Sequence, residues 1–586
     1  HGTHLISPLI KEELKSKYNF SGRNILSTFG LLSSGKGIEV TLDAMPSILV
    51  SHPNTLFIII GKTHPTVVKK DGEIYRNLLE KKVIDMHLEN HVLFVNEYLP
   101  LHTILEYLQL TDIYLFTSKD PNQAVSGTLA YAVSCGCPIV STPIPHACEI
   151  LVNSGSSFID FDDSNQLAKA VISLLADEHL RHNLSLNGLH QMAPTAWENA
   201  AIAHAKLFEN IQPNVIRLKY NIPAIKLNHI HRMTTEIGII QFSKIAFPDI
   251  DSGYTLDDNA RALIAMCQHF ENHVNIEELT YISRYLDFIR RCLQPNGKFL
   301  NYVNNKQEFT NQNYSENLED SNGRAIWALG LVISLKNILP AKFSEEALKM
   351  LEITLPHVDQ MHSTRAMAFV IKGLYYINSP ENTELTKTLA DRLVQMYRHE
   401  KKVGWHWFEN YLTYGNSILP EAMLCAYLTV NCQEYENIAL ESFDFLLSKI
   451  FIDGKIRVIS NNGWMRKDSH TESQIGGQQP IDVAYTIIAL ERFYVHYLDN
   501  DYKKRAVIAF NWFLGDNHLN QIIYNPGTGG CYDGLETNSI NLNQGAESTI
   551  SYLMARLAVE RINALEPGIS VSEYSKKQLS HALVDL

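Results

Sequence analysis

The sequence predicts two folded bodies in series, an α/β Rossmann-like domain followed by an all-α (α/α)6 toroid. Two patterns predict them. Over roughly the first 210 residues, five short β-rich runs alternate with helical patterns, as in a parallel sheet covered by helices. Downstream, one plan recurs: a polar tip that runs straight into an apolar helix. It begins at Leu256-Asp257-Asp258-Asn259-Ala260-Arg261-Ala262-Leu263 and returns at Asp320-Ser321-Asn322-Gly323-Arg324-Ala325, Ser363-Thr364-Arg365-Ala366, Leu419-Pro420-Glu421-Ala422, Asp482-Val483-Ala484 and Gly545-Ala546-Glu547-Ser548.

Taken in order, the β-rich runs fall at residues 25–28, 55–60, 92–95, 113–116 and 138–141. A helical stretch near 197–208 closes this part. Pro213 and Pro223 mark a turn-rich joint. The expected domains are therefore 1–210, a linker at 211–228, and 229–586. In the second domain the recurring tips open six inner helices, apolar nearly all round and so suited to burial in a double ring. Amphipathic stretches at 279–293, 384–397, 438–450 and 502–514 are expected as outer helices, with 229–242 as the outer helix that completes six pairs. The connections 294–319, 404–419, 454–480 and 524–544 are long and rich in Gly, Asn, Trp and Tyr. All of them enter inner helices, so function is expected on the face that carries the inner-helix N-termini.

Composition narrows the function classes. A chain of 586 residues with 45% hydrophobic side chains fills more than one core. Its net charge of −13 and its lack of a Lys/Arg cluster argue against nucleic acid as a partner. No apolar run approaches the ~20 residues of a membrane span, and no membrane insertion is expected. The eight cysteines are scattered without metal-ligand spacing, so neither a metal nor a cofactor is expected, and free thiols fit a cytoplasmic setting.

In a parallel α/β sheet, ligands lie beyond the carboxyl ends of the strands, where loops and helix N-termini offer N–H groups to anions. Three segments sit there: Gly30 to Gly37, Gly61-Lys62-Thr63-His64, and Thr117 through Gly127-Thr128. A P-loop is rejected, since the glycine it needs would fall at Leu56 inside a strand. Together with His1-Gly2-Thr3, Asp112-Ile113-Tyr114-Leu115 and Ala130 through Cys135-Gly136-Cys137-Pro138 to Ser141, these segments resemble the C-terminal, donor-binding half of the family-4 retaining glycosyltransferases of GT-B fold.

That resemblance, over about 210 residues, implies a nucleotide sugar bound without metal. It assigns the donor site to Gly30, Lys36, Gly37, Lys62, Gln123, Ser126, Gly127 and Thr128, with Lys36 on the diphosphate. The chain departs from the family at Leu31, where an Arg is usual, and at Gln123 and Tyr131, where glutamates are usual. GT-B enzymes also carry a first Rossmann-like domain for the acceptor, and His1-Gly2-Thr3 matches the junction that follows it. Such a domain ahead of this sequence is the expectation.

The inner-helix tips place Asp258, Asp320, Glu421, Asp482 and Glu547 on one face as candidate catalytic carboxyls, with Arg261, Arg324 and Arg365 in equivalent positions. Each acid alone reads equally as a helix cap or ion-pair partner, worth about 0.5–2 kcal/mol. Trp405, His406, Trp407, Glu409 and Trp464 gather in the same loops, and aromatic faces beside carboxyls and amides are what a sugar cleft needs. Toroids of this kind resemble those of glycoside hydrolases, lyases and epimerases, so the ring alone fixes no reaction. The expected function is sugar transfer from a nucleotide-activated donor to a glycan, with the toroid handling the glycan. A catalytic toroid beside a vestigial Rossmann-like domain, and a glycan-binding scaffold without catalysis, are the alternatives.

Overall fold

A computed structural model describes residues 2–151, 158–213, 215, 217–468 and 474–565. The chain divides into two compact units, His1–Arg217 and Leu218–Leu586.

The first unit is built on five parallel strands: β1 (Asn24–Phe29), β2 (Thr55–Ile60), β3 (Val92–Val95), β4 (Ile113–Phe116) and β5 (Ile139–Ser141). They lie in the order β3-β2-β1-β4-β5. Every residue of β2 is buried, because helices cover both faces of the sheet. Alternate residues divide between the two layers. Leu26 and Phe57 pack with helices Ile38–Ser51 and Ser164–Ala176, whereas Ile25 and Ile58 pack with Leu14, Tyr107 and Leu110. The chain moves outward from β1 through β2 to β3, then returns to lay β4 on the other side of β1. The loops after β1 and β4 therefore part, opening a crevice at the carboxyl edge.

The second unit is a ring of six inner helices: Leu256–Asn272, Glu319–Ser334, Thr364–Ile377, Ile418–Val430, Pro480–Tyr497 and Ala546–Ala564. Each packs on the next, and the first packs on the sixth, which closes the ring. Small residues set the closest approach. A Cβ on Gly330 would lie 2.3 Å from the Gly373 carbonyl oxygen, and one on Gly373 would lie 2.7 Å from that of Ile326, so the second and third inner helices meet backbone to backbone. The outer layer holds Leu279–Cys292, Ala341–Thr354, Thr383–Glu400, Gln433–Ile450 and Asn500–Asn511.

The outer helix expected over 229–242 is cut short. Helix Asn228–Met233 is followed by extended backbone at Thr234, and the chain bridges Thr234 to Ile239 and Ile240 to Tyr254. Asn259 of the first inner helix explains the break, since its Oδ1 accepts the Ile239 N–H at 3.0 Å and a Cβ on Gly238 would lie 2.3 Å from it. The long connections carry short antiparallel strand pairs: Tyr411–Leu412 with Met465–Arg466, which joins two different connections, and the hairpin Gly534–Leu535 with Ile540–Asn541 among them.

Candidate functional site

At the carboxyl edge of the sheet, backbone hydrogen bonds tie the three loops together. The Leu32 N–H donates to the Lys62 carbonyl at 2.8 Å, the His64 N–H to that of Leu32 at 2.9 Å, and the Lys119 N–H to that of Gly35 at 3.0 Å. Two glycines are required here. Gly37 has φ +60° and its missing Cβ would lie 2.3 Å from the Thr117 carbonyl oxygen, while Gly30, at φ +132°, leaves room for the Lys36 ammonium and the Thr128 methyl group.

Lys36 stands on a short turn, Ser34–Lys36, and runs past Gly30 with its ammonium 5.8 Å from the centre of the Phe116 ring. Partial burial holds its pKa below the ordinary lysine value, and among the described residues no carboxylate pairs with it. Lys119 is the contrast, because Glu39 and Asp162 hold it at 2.8 and 2.9 Å and raise its pKa. Thr128 lies in the first turn of helix Gly127–Ser134, whose N-cap Ser126 accepts the Leu129 N–H at 3.3 Å. Gly127 and Thr128 N–H groups have no acceptor within that helix. Gln123 is half-buried, its Oε1 accepting from Ser118 Oγ at 2.8 Å; Lys62 is exposed. A half-buried cation, a glycine that leaves space beside it and a helix start together suit an anion such as a diphosphate.

On the toroid, the mouth holds a cavity of about 370 Å³ lined by residues from the first and sixth inner helices and the loops around them. Asp258 and Glu547 are brought together there by Arg261, which donates to each at 2.8 Å. Asp258 is also bound into the first inner helix's cap. Thr255 Oγ1 accepts the Asp258 N–H at 3.1 Å and donates to its carboxylate at 2.6 Å. Burial, opposed by Arg261 and assisted by Glu547, pushes the Asp258 carboxyl up to about 6. Asp533, which the sequence did not single out, lines the same cavity. It accepts the Gly545 N–H at 2.8 Å, and burial pushes it up to about 6. The dense run Gly529 to Gly534 was the one sequence signal that could have found it.

The other predicted residues are dispersed. Asp482 does not line the cavity; it accepts the Gly415 N–H at 2.6 Å, and burial with the nearby Glu547 charge pushes it up to about 7. Asp320 faces the third inner helix, taking hydrogen bonds from Ser363 Oγ at 2.5 Å and from the Tyr414 hydroxyl. Glu421 is a correction: it is fully buried and paired with Lys372 at 2.8 Å, inside the ring rather than at its mouth. Trp405 and Trp407 are corrections too. Both indoles are buried, packed on Phe445 of the outer layer, and Trp405 Nε1 donates to the Glu409 carbonyl at 2.8 Å. His406 lies 2.8 Å from Glu441 of an outer helix, and the Glu409 carboxylate is taken by Arg365 at 3.1 Å and Thr364 at 2.7 Å. Only Trp464 of the three predicted tryptophans is exposed, tilted against Tyr411 with ring centres 5.1 Å apart.

Comparison with known proteins bears on the first unit. Residues 10–191 match the family model described as Glycosyl transferases group 1, and this segment is a domain of that kind. Spore coat protein SA of Bacillus subtilis (strain 168) is 23% identical over 176 residues, which cover 30% of this chain and 45% of that protein. Uncharacterized glycosyltransferase MJ1069 of Methanocaldococcus jannaschii is 24% identical over 207 residues, covering 34% of this chain and 49% of that one. The chain thus spans about half the length of the curated relatives it matches. A crystal structure of D-mannose isomerase covers 58% of this chain and 95% of its own at 14% identity and a TM-score of 0.46. No described helix is long and apolar enough to cross a membrane.

Proposed function

We propose that the protein is a glycosyltransferase that moves a sugar from a nucleotide-activated donor to a glycan, with the donor held at the carboxyl edge of the sheet and the toroid handling the glycan. The domains that divide this work are 1–210 and 229–586, joined by 211–228. Lys36 carries the proposal. A lysine half-buried beside a ring, with no carboxylate among the described residues, is costly unless an anion completes it. The first-turn N–H groups of Gly127 and Thr128 and the Ser126 hydroxyl supply neutral donors to the same anion. Gln123 offers hydrogen bonds to a sugar hydroxyl without charge, and Lys62 adds an exposed cation at the rim.

The departure at Leu31 takes away a cation, so Lys36 bears a larger share of the anion's neutralisation, while Gln123 and Tyr131 leave neutral hydrogen-bonding groups where carboxylates are usual. The test is nucleoside diphosphate release by the full chain from a set of nucleotide sugars in the presence of mixed oligosaccharides. Release that depends on both partners and falls at least tenfold in Lys36→Ala supports transfer. Failure to bind any nucleoside diphosphate or its sugar conjugate overturns it.

A further inference from the structure

The toroid's mouth has a charge character opposite to that of the sheet edge. Among the described lining residues of its cavity are five carboxyl groups, Asp257, Asp258, Asp533, Glu536 and Glu547, and one guanidinium, Arg261. That guanidinium is already engaged by Asp258 and Glu547. Arg324 pairs with Asp257 and is itself buried. Among the described lining residues no positive charge is left over for a ligand's anion. The neutral part of the lining is amide-rich, with Gln241, Asn301, Gln478, Gln479 and Asn461 beside the rings of Phe242 and Tyr302.

From this we infer that the cavity binds the end of a saccharide that carries no anionic group, a neutral or amino sugar, and rejects uronates, phosphosugars and nucleotide sugars. The inference rests on the proposal that the toroid handles a glycan and adds which glycans it takes. Carboxylates accept two hydroxyls each, amides donate and accept, and ring faces cover sugar C–H groups, so the lining matches a pyranose. A ligand carboxylate or phosphate would instead meet like charge in a half-enclosed cavity, where water screens it poorly. The volume of about 370 Å³ is within the range of small-molecule sites and suits one or two sugar rings.

The rim is firm enough to discriminate. Hairpin Gly534–Leu535 with Ile540–Asn541 is clamped to the loop before the fifth inner helix by paired backbone hydrogen bonds between Gln478 and Leu535, at 3.0 and 2.9 Å. Buried Gln478 is in turn fixed by Trp512 Nε1 at 3.1 Å. Burial, with the Glu547 charge adding to it, pushes the Asp258 and Asp533 carboxyls up to about 6.

The experiment is binding of the full chain to an immobilised panel of neutral, amino-sugar and uronate hexasaccharides, followed by calorimetry on the best of them. The expected result is binding confined to the neutral and amino-sugar members. Asp533→Asn and Glu547→Gln should each weaken it about tenfold, the loss expected of a charge-assisted hydrogen bond. A thermal melt of each variant separates lost binding from lost folding, and Gln479→Ala, at a side chain with no cap or ion pair to lose, serves as a third cavity variant. Uronates that bind as tightly as neutral sugars, no binding by any neutral or amino-sugar member, or binding unmoved in all three cavity variants would overturn it. Because nucleoside diphosphate binding is measured separately, its absence would refute the transfer reaction without touching this result.

Discussion

Arg261 reaches Glu547 across the seam at which the ring closes, Nη2 to Oε2 at 2.8 Å, while its Nη1 holds Asp258 of its own helix at 2.8 Å. One buried side chain thus ties the first inner helix to the last and pairs with two carboxylates at once. Neighbouring inner helices repeat the device with different partners. Arg324 takes Asp257, and Arg365 takes Glu409.

Arg261→Met should therefore be costly, by about 3–5 kcal/mol, since it strands a buried Asp258 beside Glu547. Scanning calorimetry is expected to show the toroid's transition lowered and the first unit's unchanged. Adding Asp258→Asn should recover part of the loss. A single variant that melts like the parent would show that the ring closes on helix packing alone.

Lys36 gives a prediction of opposite sign for stability and function. Burial disfavours its charged form, so the folded-state pKa is depressed and the ammonium destabilises the fold at neutral pH. Lys36→Met should leave the melting midpoint equal or higher. Added nucleoside diphosphate should raise the midpoint of the parent, as any ligand selective for the native state does, and should not raise that of the variant. A variant that melts lower and still responds to the nucleotide would mean that Lys36 is a structural residue.

The fold was legible because its signals are periodic. Four- to six-residue apolar runs read as buried strands, and a polar tip leading into an Ala-rich helix marked each inner helix. The site was less so, because burial depends on partners distant in sequence. Trp405 and Trp407 have the composition of a sugar platform, yet the outer helix that supplies Phe445 encloses them. Glu421 looks like the other tip acids until Lys372, on the preceding inner helix, meets it. Asp533 sits on no helix and follows no period, so only the hairpin that carries its neighbours puts it in the cavity. Conversely, Asp258 and Glu547 were placed together by topology alone, since the first and sixth helices of any closed ring are neighbours.

Lys372 and Glu421 form an ion pair with both side chains fully buried, the ammonium also lying 3.7 Å from the centre of the Trp327 ring. Removing one partner leaves an uncompensated charge, whereas removing both leaves only a packing problem. Lys372→Met alone is expected to destabilise the toroid by about 3–5 kcal/mol. Lys372→Met with Glu421→Leu should melt within a few degrees of the parent and retain whatever glycan binding the parent has. Loss of that binding in a stably folded double variant would return Glu421 to the functional set.

Asp482 supplies a prediction in pH. Its carboxyl is buried, takes one hydrogen bond from the Gly415 N–H, and is pushed up to about 7. Unfolded, an aspartate titrates near 3.9, so between about pH 4 and 7 the native state binds more protons at this site than the unfolded state. Stability from this group is then fully present below about pH 4 and is lost as pH rises through about 7. Asp258 and Asp533, both pushed up to about 6, act in the same direction over a slightly lower range. Asp482→Asn keeps an oxygen to accept the Gly415 N–H and removes the ionisation. The melting midpoint of Asp482→Asn is accordingly expected to exceed the parent's at pH 8, to approach it at pH 5, and to fall less steeply between the two. A variant less stable than the parent at both pH values would show instead that Asp482 is held ionised by the neighbouring arginines and that its charge supports the ring.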